Sequence, residues 1–277
     1  MIRILADSST MYTKEEAKKL HVDISPLSVT INGKSYREYE EITDNEFYDI
    51  IKQGHNPTSS QPPIGEYMEY FEKYADDDIL VLPMADGLSG SYQSCMSARN
   101  AQERENIEVI DTKTLCGPHR YLLQLAVKLR DEGKSLKEIK AVLDQKAATS
   151  WSYLMPQDFN YLMRGGRLTP LAAKVSGYLK IQPIMTLTED KKRLESQGIA
   201  RNFDIAINKV IKVLKENGVD CTHKFFISHA FVEEQAEKTK AKLIKAFGDI
   251  DIEIHRLSCA FITQGGPLCL TVQTIEK

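Results

Sequence analysis

The stretch Ile2-Arg3-Ile4-Leu5-Ala6-Asp7-Ser8-Ser9 decides how the first half of the chain is read. Ile2 to Ala6 reads as a buried strand, and Asp7-Ser8-Ser9 as the polar turn that ends it. Ile79 to Met84 repeats the pattern before Asp86-Gly87-Leu88-Ser89-Gly90-Ser91, and Ile107 to Ile110 repeats it before Asp111-Thr112. Apolar runs rich in β-branched residues alternate here with helical-period stretches, which is the pattern of an α/β fold. Ligands of open α/β sheets bind beyond the carboxyl ends of the strands, so three such ends carrying hydroxyls or carboxylates point to one shared crevice. Thr43 with Glu46 and Ser135 with Glu138 have capping-box spacing, and Phe47, Ile50, Ile51 and Leu136, Ile139, Val142, Leu143 supply the apolar faces of the helices behind them.

From near Trp151 the pattern changes. Pro183 to Thr188 and Arg193 to Ile199 flank the polar turn Glu189-Asp190-Lys191-Lys192, as in a hairpin. Amphipathic helices are predicted from about Phe203 to Glu216, stopping at Asn217-Gly218, and from about Val232 to Phe247, stopping at Gly248. Phe225 to Ser228, Ile250 to Leu257 and Leu268 to Ile275 read as strands. A chain of 277 residues, 42% hydrophobic, carries enough apolar material for two cores, divided near residues 149 and 150.

Lys and Arg total 36 against 39 Asp and Glu, with no basic block of the kind that tracks phosphates, so nucleic acid is not expected as a partner. No signal-peptide h-region and no run of about 18 apolar residues occurs, which makes the cytoplasm the expected location, without stable membrane anchoring. Cys95, Cys116, Cys221, Cys259 and Cys269 are odd in number, scattered and without a C-x-x-C pair, so reduced and mostly buried thiols are expected. Asp7 and Asp111 lack any paired-carboxylate signature, and no metal is expected.

Two clusters could receive an anion. Asn56-Pro57-Thr58-Ser59-Ser60-Gln61-Pro62-Pro63 sets three hydroxyls and an amide between prolines; its structural reading is an N-cap loop, with Ser59 or Ser60 capping a helix from Glu66 to Tyr74. Leu88-Ser89-Gly90-Ser91-Tyr92-Gln93-Ser94 follows a strand and opens a helix, where N–H groups and the macrodipole favour negative charge; it too reads structurally as a cap. Neither contains the G-x-S-x-G elbow, and both nucleotide-binding glycine motifs are absent. Arg164-Gly165-Gly166-Arg167 reads as a helix C-cap between cations, and His229 as a core or loop histidine.

Asp7-Ser8-Ser9, Ser60-Gln61-Pro62, Leu88 to Ser94, Gly165-Gly166-Arg167-Leu168, Gln182-Pro183-Ile184 and Gly265-Gly266-Pro267 occur in one order along almost the whole chain. Together they resemble the DegV family, the fatty-acid-binding subunits of bacterial fatty acid kinase. The resemblance implies an α/β, two-domain fold. Residues 1–149 would form an N-terminal α/β domain with a mostly parallel sheet and the head-group loops. Residues 150–277 would form a C-terminal α+β domain with a mixed or antiparallel sheet enclosing the acyl tail. It implies a long-chain fatty acid as ligand in a buried tunnel, its head group near the interdomain cleft, and no cofactor. It also implies a separate ATP-dependent kinase subunit as partner, which makes the acyl phosphate, and no catalysis by this chain.

Carried over by motif, the carboxylate-binding residues are Ser59, Ser89, Ser91 and Gln264, with Asp7, Ser8, Ser60 and Gln61 as site support and Arg167 and Arg201 as kinase contacts. Ser59 stands at a usual threonine and keeps its oxygen, while Pro63 replaces a serine. Gln264 stands where the family has histidine, so it can donate a hydrogen bond but cannot carry a charge or shuttle a proton. Leu268 replaces a glycine. The alternatives are a serine hydrolase or acyltransferase using Ser89, with Asp7 or His229 as acid or base, and a lipid storage or transport protein without a kinase partner.

Overall fold

The computed structural model describes residues 1–102, 104–177 and 181–277, with side chains placed for all of these except 175–177. The described chain forms two compact units, Met1–Ala148 with Ser258–Ala260, and Thr149–Leu257 with Phe261–Lys277. Its architecture is mixed α/β.

The first unit contains β1 (Ile2–Asp7), β2 (Val22–Ser25), β3 (Ser28–Ile31), β4 (Lys34–Arg37), β5 (Thr58–Ser60), β6 (Asp78–Leu82) and β7 (Ile107–Val109). Its helices are α1 (Lys14–Lys18), α2 (Asp44–Ile51), α3 (Ile64–Lys73), α4 (Ser91–Gln102), α5 (Cys116–Asp131) and α6 (Leu136–Ala148). The main sheet runs β2-β1-β6-β7 with every neighbouring pair parallel. Ile4 to Ala6 and Ile79 to Leu82 are buried without alternation, because a parallel sheet covered on both faces hides every side chain of its inner strands. Parallel neighbours need crossovers; α1 supplies one between β1 and β2, and α4 one between β6 and β7.

A second, antiparallel sheet, β4-β3-β5, follows from a hairpin signal that the strand pattern alone does not reveal. Asn32 and Gly33 connect β3 to β4 with φ of 54° and 73°, the left-handed pair that a tight two-residue turn requires. This sheet corrects the expected cap at Ser59 or Ser60. Both serines lie on β5, opposite Val29 and Ser28. Pro62 and Pro63 hold the backbone extended, so α3 starts only after Pro63 and has no side-chain cap.

The second unit contains β8 (Trp151–Met155), β9 (Gln182–Leu187), β10 (Leu194–Ala200), β11 (His223–His229), β12 (Asp251–Arg256) and β13 (Leu270–Glu276). Its helices are α7 (Phe159–Gly165), α8 (Phe203–Glu216), α9 (Glu233–Phe247) and α10 (Cys259–Gly265), whose first two residues are grouped with the first unit. The sheet runs β10-β9-β8-β13-β11-β12, antiparallel except for β11 with β12, which α9 connects. The predicted β9–β10 hairpin is present, with a register shift between Ser196 and Gly198. Ile207, Val210 and Leu214 of α8 and Ala236 and Leu243 of α9 share one buried cluster with Phe225, Ile227 and Val272. The helix stops also match the reading, since Gly218 and Gly248 take positive φ just past α8 and α9.

Both predicted capping boxes form. In the first, the Glu46 N–H donates to Thr43 Oγ1 at 3.2 Å and the Thr43 N–H to Glu46 Oε2 at 2.9 Å. Thr43→Ala removes the side-chain half of this exchange and is expected to destabilise the protein by about 1 kcal/mol in urea unfolding.

Candidate functional site

Asp7, at the end of β1, is fully buried. Its Oδ1 accepts from the Ser9 N–H at 3.1 Å and from the Ser9 hydroxyl, and its Oδ2 accepts from the Met84 N–H at 2.9 Å. Asp7 thereby holds the start of the loop that follows β6. The same loop is held by the Thr112 hydroxyl on the Pro83 carbonyl at 2.7 Å and by the Ala85 N–H on the Thr114 carbonyl at 3.1 Å. Ser8 Oγ accepts from the Leu27 N–H at 2.8 Å and donates to Glu38. The loops after β1, β6 and β7 are therefore tied together, as neighbouring parallel strands should allow. Asp7 and Ser8 lie inside the protein, where they shape the loops from below.

The held loop delivers Ser89. Its Oγ lies 2.9 Å from Ser91 Oγ and accepts from the Ser91 N–H at 3.2 Å, at the start of α4. Ser89 is 7% exposed and Ser91 fully buried. A second loop meets this one at Gly90, where a methyl would come within 2.7 Å of the end of the Gln61 side chain. The Gln61 side chain thus lies against Gly90, in the Ser89 loop. Ser59 is half-buried on β5, while Ser60 and Gln61 are exposed. The fold brings the two hydroxyl clusters together, although 28 residues separate Gln61 from Ser89 in the sequence.

The second unit assembles a different group. Gln264, on α10, lies against Gly165, where any Cβ would overlap its amide oxygen. Gly166 takes φ of 71° and caps α7, as its sequence pattern implied. Arg167 turns back to donate to the Gly165 carbonyl, and burial lowers its pKa. Gln264, Gly165 and Arg167 are thus neighbours, whereas Arg201 stands exposed in the bend ahead of α8. His229, at the end of β11, accepts from the Val232 N–H at 3.3 Å, and burial lowers its pKa, in keeping with a structural role. Among the described residues, Ser89 is hydrogen-bonded to no imidazole or carboxylate, and Asp7 is committed to Ser9 and Met84. No three His, Cys, Asp or Glu among the described residues gather as a metal site, and no helix among them is long and apolar enough to cross a membrane.

A family model described as "Uncharacterised protein, DegV family" matches residues 1–277. This chain belongs to the DegV family. It is 32% identical over 274 residues to a DegV domain-containing protein of Staphylococcus aureus, covering 97% of each. It is 30% identical over 263 residues to one of Listeria innocua, covering 91% of this chain and 90% of the other. Among solved structures it resembles DegV, a fatty acid binding protein from Bacillus subtilis, at 27% identity and a TM-score of 0.87, over 100% of this chain and 99% of that one. A DegV family protein from Thermus thermophilus, at 23% identity and a TM-score of 0.90, shares the fold across 100% of this chain and 99% of its own.

Two buried residues of this DegV chain carry no motif and escaped the sequence reading, Glu38 and His119. Polar residues that end in the core leave no periodic signal, and Glu38 stands in the charged stretch Arg37-Glu38-Tyr39-Glu40-Glu41 that reads as surface. Glu38 Oε2 accepts from the Ala260 N–H at 2.9 Å. Burial raises its pKa to about 7, opposed by the bonds from Ser8 and Ala260 and reinforced by Asp7. Between the ordinary carboxylate range and about 7, the unfolded chain has released this proton and the folded chain retains it. Folding stability therefore falls as pH rises through that window and levels off above it. Glu38→Gln should gain on the native protein across the same window, by at most on the order of 3 kcal/mol, in urea unfolding at a series of pH values.

Proposed function

We propose that this protein binds a long-chain fatty acid, with its acyl chain buried and its carboxylate received by Ser59, Ser89 and Ser91. The observation that carries this is the approach of the two hydroxyl loops at the start of α4, where the Gln61 side chain lies against Gly90. A carboxylate suits hydroxyl donors at a helix start, where the macrodipole adds favourable field. The family supports the choice of ligand, since the Bacillus subtilis relative is described as a fatty acid binding protein. We further propose that the protein presents the carboxylate to an ATP-dependent kinase subunit for acyl phosphate formation, and contributes no catalytic group itself.

Magnitudes separate holding the ligand from positioning it. Each buried methylene contributes roughly 0.8 kcal/mol, so a C16 tail has a gross driving force on the order of 10 kcal/mol before ordering costs. One hydroxyl bonded to a carboxylate contributes about 1.5 to 3 kcal/mol. The tail dominates affinity, and the hydroxyls set where the reacting oxygen lies. Phosphoryl transfer is intolerant of that position, because a shift of about 1 Å can cost roughly a hundredfold in rate.

Mass spectrometry of organic extract from the purified protein should find a bound fatty acid. Extract without stoichiometric lipid, from protein that also refuses added palmitate and oleate, would sink the proposal. Ser89→Ala should weaken binding about tenfold to a hundredfold and reduce kinase turnover by more. Lipid lost entirely while turnover per bound lipid stays normal would reverse the division of labour.

Of the two arginines assigned to the kinase, Arg201 is exposed and Arg167 is half-buried and turned onto its own chain. Arg201→Glu should therefore slow acyl phosphate formation while lipid content stays unchanged, and the native rate should fall with added salt. Normal turnover by Arg201→Glu would remove this contact.

A further inference from the structure

Carboxylate binding by the Ser89 loop leaves unused the deepest titratable cluster of the first unit, Asp7, Ser9 and His119, none of which has exposed surface. His119 lies in the first turns of α5. Its Nε2 is 3.0 Å from the Leu82 carbonyl oxygen, which can only accept, so Nε2 carries a proton. Its Nδ1 is 2.7 Å from Ser9 Oγ, and Ser9 Oγ is also hydrogen-bonded to Asp7 Oδ1. A hydroxyl has one proton to give. If it goes to Asp7, Nδ1 must donate and the imidazole is a cation. If it goes to Nδ1, the bond to Asp7 forms only when Asp7 brings a proton of its own. Both arrangements contain the same number of protons, one more than a carboxylate, a hydroxyl and a neutral imidazole hold together.

The two ends of this relay grip one turn of backbone. His119 holds the Leu82 carbonyl, Asp7 holds the Met84 N–H, and Thr112 holds the Pro83 carbonyl between them. That turn is the root of the loop that ends in Ser89.

We propose that His119 is a positioning residue for the Ser89 loop, acting through a proton shared with Ser9 and Asp7, so that losing the proton loosens the loop and weakens fatty-acid binding. The link to binding rests on the reading of Ser89 as a carboxylate donor. With the proton bound, the bonds Asp7–Ser9, Ser9–His119 and His119–Leu82 are all made. Without it, the Ser9 hydroxyl faces two acceptors and serves only one. Binding is therefore tightest on the acid side and weakens as pH rises. Burial lowers the pKa of His119 and the Asp7 charge opposes it, so the competing forces meet at this cluster. The other titratable groups facing Asp7 are Glu38 beyond β4, Tyr67 on α3 and Cys95 on α4. Burial pushes Tyr67 and Cys95 upward, which keeps both neutral, while Glu38 is raised to about 7.

Burial moves the His119 titration below the ordinary histidine value, so the test is the dissociation constant for palmitate of the native protein and of His119→Gln, from about pH 4.5 to about pH 8. Glutamine does not titrate; its amide N–H can donate to the Leu82 carbonyl, but its oxygen only accepts and so cannot supply the relay's extra proton to Ser9. His119→Gln should bind about threefold to tenfold more weakly at the acid end, the effect of one lost hydrogen bond, and the ratio should shrink toward one at the alkaline end. Glu38 is common to both proteins, so its titration cancels in the ratio. A ratio that is constant with pH would show a merely structural role and overturn the proposal. The relay is also read without ligand, by nitrogen NMR of histidine-labelled native protein, in which His119 Nε2 should remain protonated across the range. A deprotonated Nε2 would overturn it even if the glutamine variant does not fold. Full affinity of Ser89→Ala would sink the carboxylate reading alone, while a constant ratio beside a normal Ser89→Ala loss would sink the role of His119 alone.

Discussion

A carboxylate with no access to water must find its hydrogen bonds in the protein, and the way Asp7 does so organises the end of the parallel sheet. Leaving a buried acceptor unmade costs about 1 to 3 kcal/mol, more for a charge, so the chain around Asp7 has little freedom. The Met84 N–H and the Ser9 N–H and hydroxyl must come to it. With Met84 pinned, the loop after β6 leaves the sheet along a defined path and places Ser89 at the head of α4. Ser8 extends the same constraint outward, to the Leu27 N–H on one side and to Glu38 on the other.

Small residues complete what the buried polar groups begin. Gly90 and Gly165 are not turn glycines; each stands where another side chain, Gln61 or Gln264, occupies the space a Cβ would need. Close approach of this kind converts loops that are distant in sequence into neighbours. The glutamine at 264 keeps a hydrogen-bonding amide where the family resemblance leads one to expect a titratable ring, while Glu38 and His119 are titratable groups buried in the first unit.

Much of the scaffold was legible because it rests on local physics. The strands at Ile2, Ile79 and Ile107, the β9–β10 hairpin, the capping boxes at Thr43 and Ser135, and the helix stops at Gly218 and Gly248 all follow from periodicity and backbone preference. The cap at Ser59 or Ser60 was misread because strand pairing with β3 outweighed a local serine preference, after Asn32-Gly33 had set β3 and β4 as a hairpin. That dipeptide was a readable signal, and the antiparallel sheet could have been found from it.

By itself the sequence determined which segments are strands and helices, which loops carry hydroxyls at strand ends, and, through ordered motifs, the family. These properties depend on a few consecutive residues and the backbone angles they favour. Only the tertiary structure decided that Gln61 meets Gly90, that Gln264 meets Gly165, and that Asp7, Ser9 and His119 form one hydrogen-bonded chain at the root of the loop leading to Ser89. The physical reason is that hydrogen bonds and close packing act over about 3 to 4 Å in space, whatever the separation along the chain. His119 follows Ser9 by 110 residues, and no local pattern records that they touch.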